Sequence, residues 1–405
     1  MEQNGTLLIR DVRLADGKAG NDILIEDGVI RAVGCGLPSH GASIEAGGLT
    51  CLPAFCDLHA HFRDPGQTQK EDLASGSCAA VRGGYTAVNL MANTTPVVST
   101  HAQVKDILAR ARRVGLVDVH QCVSITHDMD GATVDHLEGL GKHVRIISED
   151  GRDVMDARVM LQAMTAAAHL GMTVMCHCED RNLASVDARL AEDLMTHRNI
   201  ELARVASCRL HIAHVSTEGS MRAVIDARRA GLPVTCEVTP HHLALTDETC
   251  FRVNPPLRPR RDVLALITAI RDGSVDAIAT DHAPHTAADK AAGAPGMVGL
   301  ETAFGVCHTT LVRPGHLSLG RLSELMSTNP AHLLGMHKGR IEPGYDGDLV
   351  LVDLATPWTV DVNAFAGRSR NTPFEGMQLY GKVMLTIKAG RVVYRDPSCT
   401  QEEQP

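Results

Sequence analysis

Between residues 52 and 336 the chain repeatedly alternates short apolar runs with Ala-rich amphipathic segments of about ten to fifteen residues. Repetition of this kind points to βα units around a parallel sheet, since parallel strands need a crossover that returns the chain to its starting end. The apolar runs fall at 54–58, 86–91, 117–124, 144–148, 173–178, 209–215, 234–238 and 276–280. Eight such runs fit an α/β fold of the (β/α)8, TIM-like barrel type. A doubly wound sheet is the alternative that strand counting leaves open.

The flanks read differently. β-rich runs at 7–10, 22–25 and 29–33 are separated by Asp-Gly turns and carry no helical periodicity, and similar runs return at 348–352, 381–388 and 391–394. Small antiparallel strands are expected in both places. The chain therefore divides into 1–53 and 338–395, the two parts of one small domain, around a barrel at 54–337, with a polar tail at 396–405 expected to be disordered.

With 405 residues, 44% hydrophobic and 21% charged, the chain can bury a large core. No apolar run approaches the roughly 20 residues of a membrane span. No basic segment followed by an apolar run opens the sequence, so a cytoplasmic location is expected. The twelve scattered cysteines then read as thiols rather than a disulfide framework. A net charge of -9 without a basic block argues against a nucleic-acid partner. An anionic substrate would need a site made locally positive by metal, Arg and His.

The run at 54–58 ends in His59-Ala60-His61. A strand places residues i and i+2 on one face, so the two imidazoles can share a metal ion. Taken alone, such a pair is structural about as often as it is a metal site. Four more strand ends carry Asp150, His177, His214 and Asp281. A single histidine on an apolar strand is usually a satisfied core residue, but five strands ending in His or Asp would each need a separate polar partner. One metal centre satisfies them together, at the rim where barrel active sites lie. Imidazoles and carboxylates without thiolates suit zinc or a similar divalent ion with a position open to water.

Four segments carry a specific likeness: His59-Ala60-His61-Phe62-Arg63-Asp64-Pro65-Gly66, Asn254-Pro255-Pro256-Leu257-Arg258, Thr280-Asp281-His282-Ala283-Pro284-His285, and Gly339-Arg340-Ile341-Glu342-Pro343-Gly344 with its continuation to Leu349. They resemble dihydroorotases of the long bacterial type (type I), in the amidohydrolase superfamily, over nearly the whole chain. The resemblance implies a barrel with a β-sandwich built from both chain ends and two Zn2+ per subunit. By its motifs, His59 and His61 hold one zinc and His177 and His214 the other, Asp150 and a hydroxide bridge them, and Asp281 ligates the first. Lys142, which opens its strand, is a poor rival for Asp150 as the bridge.

The same resemblance makes Asp281 the catalytic base and acid. It assigns substrate binding to His61, Arg63, Asn93, Asn254 and His285, with Arg63 gripping a carboxylate and Asn254 facing the ring. Pro295 and Gly296 complete the substrate set, although this chain has Ala294-Pro295-Gly296 where relatives have Pro-Phe-Gly, and Met91-Ala92-Asn93 where they have Met-Pro-Asn. His211 is expected to be structural or to back a ligand, His282 to support Asp281, and His241 and His242 to have no ligand role.

The implied reaction is the reversible cyclisation of N-carbamoyl-L-aspartate to (S)-dihydroorotate plus water, the third step of de novo pyrimidine (UMP) biosynthesis. Two rivals stand beside it. An allantoinase or dihydropyrimidinase would act on substrates with no carboxylate for Arg63. A non-catalytic scaffold for aspartate transcarbamoylase should have lost ligands that are intact here. The expected partner is the small-molecule substrate, with a homodimer and an association with aspartate transcarbamoylase as the assemblies the resemblance leaves open, and no nucleic acid or membrane.

Overall fold

The computed structural model describes residues 5–38, 41–399 and 403–404. Strands β1 (Leu7–Val12), β2 (Asn21–Glu26), β3 (Val29–Gly34), β4 (Ala42–Glu45) and β5 (Thr50–Pro53) come first. The parallel strands follow as β6 (Phe55–Ala60), β7 (Tyr85–Leu90), β8 (Asp118–Gln121), β9 (Ile146–Ser148), β10 (Thr173–Cys176), β11 (Arg209–Ile212), β12 (Val234–Val238) and β13 (Ala277–Ile278). One of them falls in each expected run. Two arcs, β6-β7-β8 and β9 to β13, are joined by parallel bridges at Val123–Ile147 and Ala60–His282. The second bridge closes the ring, which an open doubly wound sheet does not do.

Helices return the chain between strands: α1 (Leu73–Arg82), α2 (His101–Val114), α3 (Ala157–Leu170), α4 (Ala188–Ala206), α5 (Glu218–Arg229), the short α6 (Pro240–Ala244) and α7 (Arg260–Arg271). Their ends are written locally. In α2 the Thr100 hydroxyl accepts the Gln103 N–H, and Gly115 stops the helix at φ +73. Val104, Ile107 and Ala111, spaced for one helical face, are the buried residues between those caps. Leu58, Met91, Cys122, Met175, Ala213 and Ala279 form one buried cluster although they come from around the ring, so they meet on the barrel axis.

The chain ends with β14 (Leu349–Asp353), β15 (Trp358–Thr359), β16 (Gln378–Leu379), β17 (Lys382–Lys388), β18 (Arg391–Arg395) and β19 (Glu403–Gln404). β15 and β16 pair with each other, and the rest build two sheets with the N-terminal strands, in the orders β19-β4-β1-β2-β3 and β18-β17-β14-β5. Ile9, Ile23, Ile25 and Ile44 of the first sheet share a core with Leu349, Leu351, Leu385 and Ile387 of the second. That shared core makes a β-sandwich. The tail expected to be disordered from 396 is built in at its start: Asp396 is buried and accepts from Lys382 Nζ at 2.8 Å. Residues 400–402 and 405 of that tail lie outside the described residues.

Barrel and sandwich are clamped by charge at Lys338. Its ammonium, 7% exposed, lies 2.7 Å from Asp118 of β8 and 3.4 Å from Asp346, and also bonds the buried Asp348 that leads into β14. Replacing Lys338 with Met would leave Asp348 buried without its counter-charge. A loss of about 3 kcal/mol in unfolding free energy is expected in urea denaturation.

Candidate metal centre

The five chemically marked strand ends converge on one carboxylate. Asp150, just beyond β9, is 7% exposed. Its Oδ1 lies 3.3 Å from His59 Nε2, 3.5 Å from His177 Nδ1 and 3.5 Å from His214 Nε2, and its Oδ2 lies 3.4 Å from His61 Nε2. His59, His61 and Asp150 can hold one ion, and Asp150, His177 and His214 a second. Asp281, beyond β13, stands 3.3 Å from His61 Nε2 and 3.6 Å from His59 Nε2 through the same oxygen. Lys142 is exposed before β9, away from this rim.

These spacings suit a bound cation. Ligand atoms about 2.0–2.2 Å from a tetrahedral zinc lie about 3.3–3.6 Å from one another. His59 Nε2 and His214 Nδ1 are buried with no hydrogen-bond partner. For His59 the unpartnered nitrogen is the one aimed at Asp150. The donor set of imidazole and carboxylate therefore fits a divalent ion on chemistry and on geometry.

The far nitrogens explain how the rings are aimed. His59 Nδ1 donates to Glu237 Oε1 at 3.0 Å, His61 Nδ1 to Asn93 Oδ1 at 3.0 Å, and His177 Nε2 to Glu179 Oε2 at 3.1 Å. A carboxylate can only accept, so each such bond fixes the tautomer that leaves the other nitrogen free for a metal. Backbone conformation contributes too. Arg63, His214 and Asp281 adopt φ of +56, +34 and +47, a left-handed region costly for residues with a Cβ and concentrated at functional sites.

Charge state follows from the packing. Burial opposes ionisation of Asp150 and Asp281, yet the surrounding histidines hold both carboxyls below their usual range. Burial also opposes protonation of His59 and His177, but Asp150, with Glu237 for the first and Glu179 for the second, raises both. His61 moves the other way, lowered by burial and the Arg63 charge.

Beside this centre, Arg63 donates through Nε to the Pro284 carbonyl at 3.2 Å and through Nη2 to His285 Nε2 at 3.3 Å. Burial and the Arg63 charge bring His285 down to about 4, so it is neutral and its buried, unbonded Nδ1 carries a free N–H. Asn254 donates to Glu179 at 3.1 Å, and both line a cavity of about 380 Å³ together with Phe251 and Pro295. Gly296, at φ +123, sits where a Cβ would come within 2.8 Å of Ala283 Cβ and 3.3 Å of the His285 ring. Lys290 ties this loop down, donating to the carbonyls of Arg252, Ala294 and Gly296.

Two expectations change in detail and a third is resolved. The Asn93 amide is taken up by protein, its Nδ2 donating to the side chain and backbone of Asp150 at 3.1 and 3.2 Å, so it orients two ligands. His282 does not support Asp281: its Nδ1 accepts from Gly299 and Leu300 N–H at 3.2 and 3.4 Å. His211 does back a ligand, through Glu237 at 3.2 Å. Sequence reasoning missed Glu237 and Glu179, and His241, given no ligand role, belongs to neither ligand group. His241 is 1% exposed with an unbonded Nε2, and Asp281 and His214 are among the charges acting on it. The available signal for Glu237 was a charged residue inside the apolar run Val234-Thr235-Cys236-Glu237-Val238.

Two measurements test the centre. Metal analysis should find both ions lost from Asp150→Ala and one retained by His214→Ala, because only Asp150 belongs to both ligand groups. Protons held on His59 and His177 must leave when a metal binds. Zinc affinity should therefore rise from slightly acidic to slightly alkaline buffer, with proton release seen by calorimetry in buffers of different ionisation enthalpy.

Residues 50–393 match the amidohydrolase family. The chain is 47% identical to a dihydroorotase of Clostridium botulinum over 399 residues, covering 96% of this chain and 99% of that one. It is 39% identical to a dihydroorotase of Acetivibrio thermocellus, covering 96% and 99%. Among solved structures it is similar to a dihydropyrimidinase of Brevibacillus agri, with a TM-score of 0.87, 25% identity and coverage of 98% and 96%. An L-hydantoinase of Arthrobacter aurescens follows at 0.85, 25%, and 98% of each chain. A barrel rim bearing this ligand set, in a chain matched along almost its entire length, leads to one assignment: the chain belongs to the amidohydrolase family, among its dihydroorotases.

Proposed function

We propose that the chain catalyses the reversible cyclisation of N-carbamoyl-L-aspartate to (S)-dihydroorotate plus water, with two zinc ions held by His59, His61, Asp150, His177, His214 and Asp281. The observation that carries this reading is Asp150, shared at 3.3–3.5 Å by four imidazoles beside a half-buried Arg63. The reaction belongs to de novo pyrimidine biosynthesis. A cytoplasmic setting agrees with buried thiols such as Cys51, Cys56, Cys122 and Cys236. No helix among the described residues is long and apolar enough to cross a membrane.

When bound, zinc supplies a water ionised near neutral pH and a Lewis acid for the scissile carbonyl. The protein's own groups do the rest. Asp281 starts ionised, since His61, His59 and His214 hold its carboxyl down against burial. It can accept the proton of the attacking water in ring opening and pass it to the departing ring nitrogen, and the converse serves ring closure. Arg63 offers a forked donor to a substrate carboxylate that does not react, and His285, bonded to its Nη2 at 3.3 Å, completes that corner. Asn93 reinforces that corner through His61. Asn254, Pro295 and the close-packed Gly296 border the space left for the ring.

The hydantoinase-like neighbours share the fold and the class of bond attacked, so Arg63 is the residue that separates the readings. Arg63→Met should lower kcat/KM on dihydroorotate by about 2–5 kcal/mol, the cost of leaving a buried carboxylate without its partner. A neutral hydantoin should be hydrolysed by wild type and variant with little difference. Steady-state turnover of both compounds, with metal content measured alongside, decides it: equal losses on the two would remove the carboxylate assignment.

A further inference from the structure

Each of the two ligand groups contains one histidine backed by a carboxylate, and the two carboxylates differ. Glu179, behind His177, has a side chain that is 21% exposed and borders the open cavity. Glu237, behind His59, is completely buried in β12 and lies between two imidazoles. Its Oε1 accepts from His59 Nδ1 at 3.0 Å and its Oε2 from His211 Nε2 at 3.2 Å, while His211 Nδ1 meets the Thr235 hydroxyl at 2.8 Å. The result is a closed chain from Thr235 through His211, Glu237 and His59 to the metal centre.

We propose that Glu237 is a positioning residue for the metal centre: held between His59 and His211, it fixes the His59 ring with Nε2 free toward the ion and sets, through its buried charge, how tightly that ion is held. The inference rests on the metal-centre reading above and adds a residue outside the ligand set. Its physical basis is threefold. Both carboxylate oxygens are committed, so the group cannot rotate away from His59. A carboxylate accepting the Nδ1 proton makes the opposite nitrogen a stronger donor to a cation. Because Glu237 is fully buried, its negative charge is screened less than a surface charge would be.

His211 has the complementary task. Without its bond, Oε2 of a fully buried carboxylate would be left unsatisfied, so the second imidazole stabilises the charge that the first one uses. Two imidazole nitrogens, one facing each oxygen of Glu237, make the arrangement that an ionised, acceptor-only carboxylate satisfies.

The test compares Zn2+ binding to the full chain in wild type, Glu237→Gln and His211→Asn, using a competing chelator, together with the visible spectrum of the Co2+-loaded proteins. Gln has the shape of Glu and keeps an acceptor for His59 Nδ1 while losing the charge, so it separates charge from packing. Near-ultraviolet circular dichroism of the metal-free proteins checks that the fold is retained. Glu237→Gln should bind its tighter Zn2+ roughly 10- to 100-fold more weakly, with a displaced Co2+ absorption band. His211→Asn should shift both readouts in the same direction. Unchanged affinity and spectrum in Glu237→Gln, beside a wild type that binds zinc, would overturn the role of Glu237 alone. A wild type that takes up no Zn2+ would overturn the metal centre itself, and this inference with it.

Discussion

The rim of this barrel is organised around the Asp150 carboxylate. A buried carboxylate needs compensating positive charge or hydrogen-bond donors, and Asp150 draws them from three other strands: His59 and His61 after β6, His177 after β10 and His214 after β11. No single strand could supply those contacts. The strands have to end at one height around a closed ring, so ring closure at Ala60–His282 is a condition of the chemistry as much as of the fold. At that seam the His61 N–H donates to the His282 carbonyl at 2.8 Å, and the Thr280 N–H donates to buried Asp57 at 2.9 Å. Those bonds bring Asp281 to the His59 side.

Around the carboxylate, order is imposed from behind. Glu237, Asn93 and Glu179 each accept a hydrogen bond from the far nitrogen of one ring, and a ring so held presents a fixed nitrogen. His214 differs, with no partner on its Nδ1 and a left-handed backbone that aims it. Arg63 is aimed in the same way, from a φ of +56 just past the His59-Ala60-His61 pair, and is then tied to Pro284 and His285 on the opposite side of the seam. One short segment therefore delivers two candidate metal ligands and the cation beside them.

Much of this was legible before the structure because period-two and period-3.6 patterns report burial directly. Each of the eight barrel strands overlaps an expected run, and the candidate ligands stand where apolar runs give way to His or Asp. What escaped notice depends on cross-strand distance. Glu237 becomes meaningful only when β12 is known to lie beside β11 and across the ring from His59, and Glu179 only when the chain after β10 is seen to turn back on His177. His282 failed for the opposite reason: adjacency to Asp281 in the chain suggested a shared task, while the turn after β13 sends its ring to the backbone of Gly299 and Leu300. The start of the tail misled because polarity was read as exposure. Asp396 is polar and buried, its charge matched by Lys382.

The rim also resolves how a chain of net charge -9 can receive an anion. Asp281 and Asp150 act on the Arg63 charge, Glu237 lies behind His59, and Glu179 borders the cavity, so in the absence of cations the fixed charge at this end of the barrel is negative. Protons on His59 and His177 offset part of it. With divalent ions bound as proposed, larger positive charges would stand where those protons do, leaving Arg63, with neutral His285 beside it, free to pair with a carboxylate instead of with the protein's own acids. Metal binding and substrate binding would then be coupled through charge before any bond is made or broken.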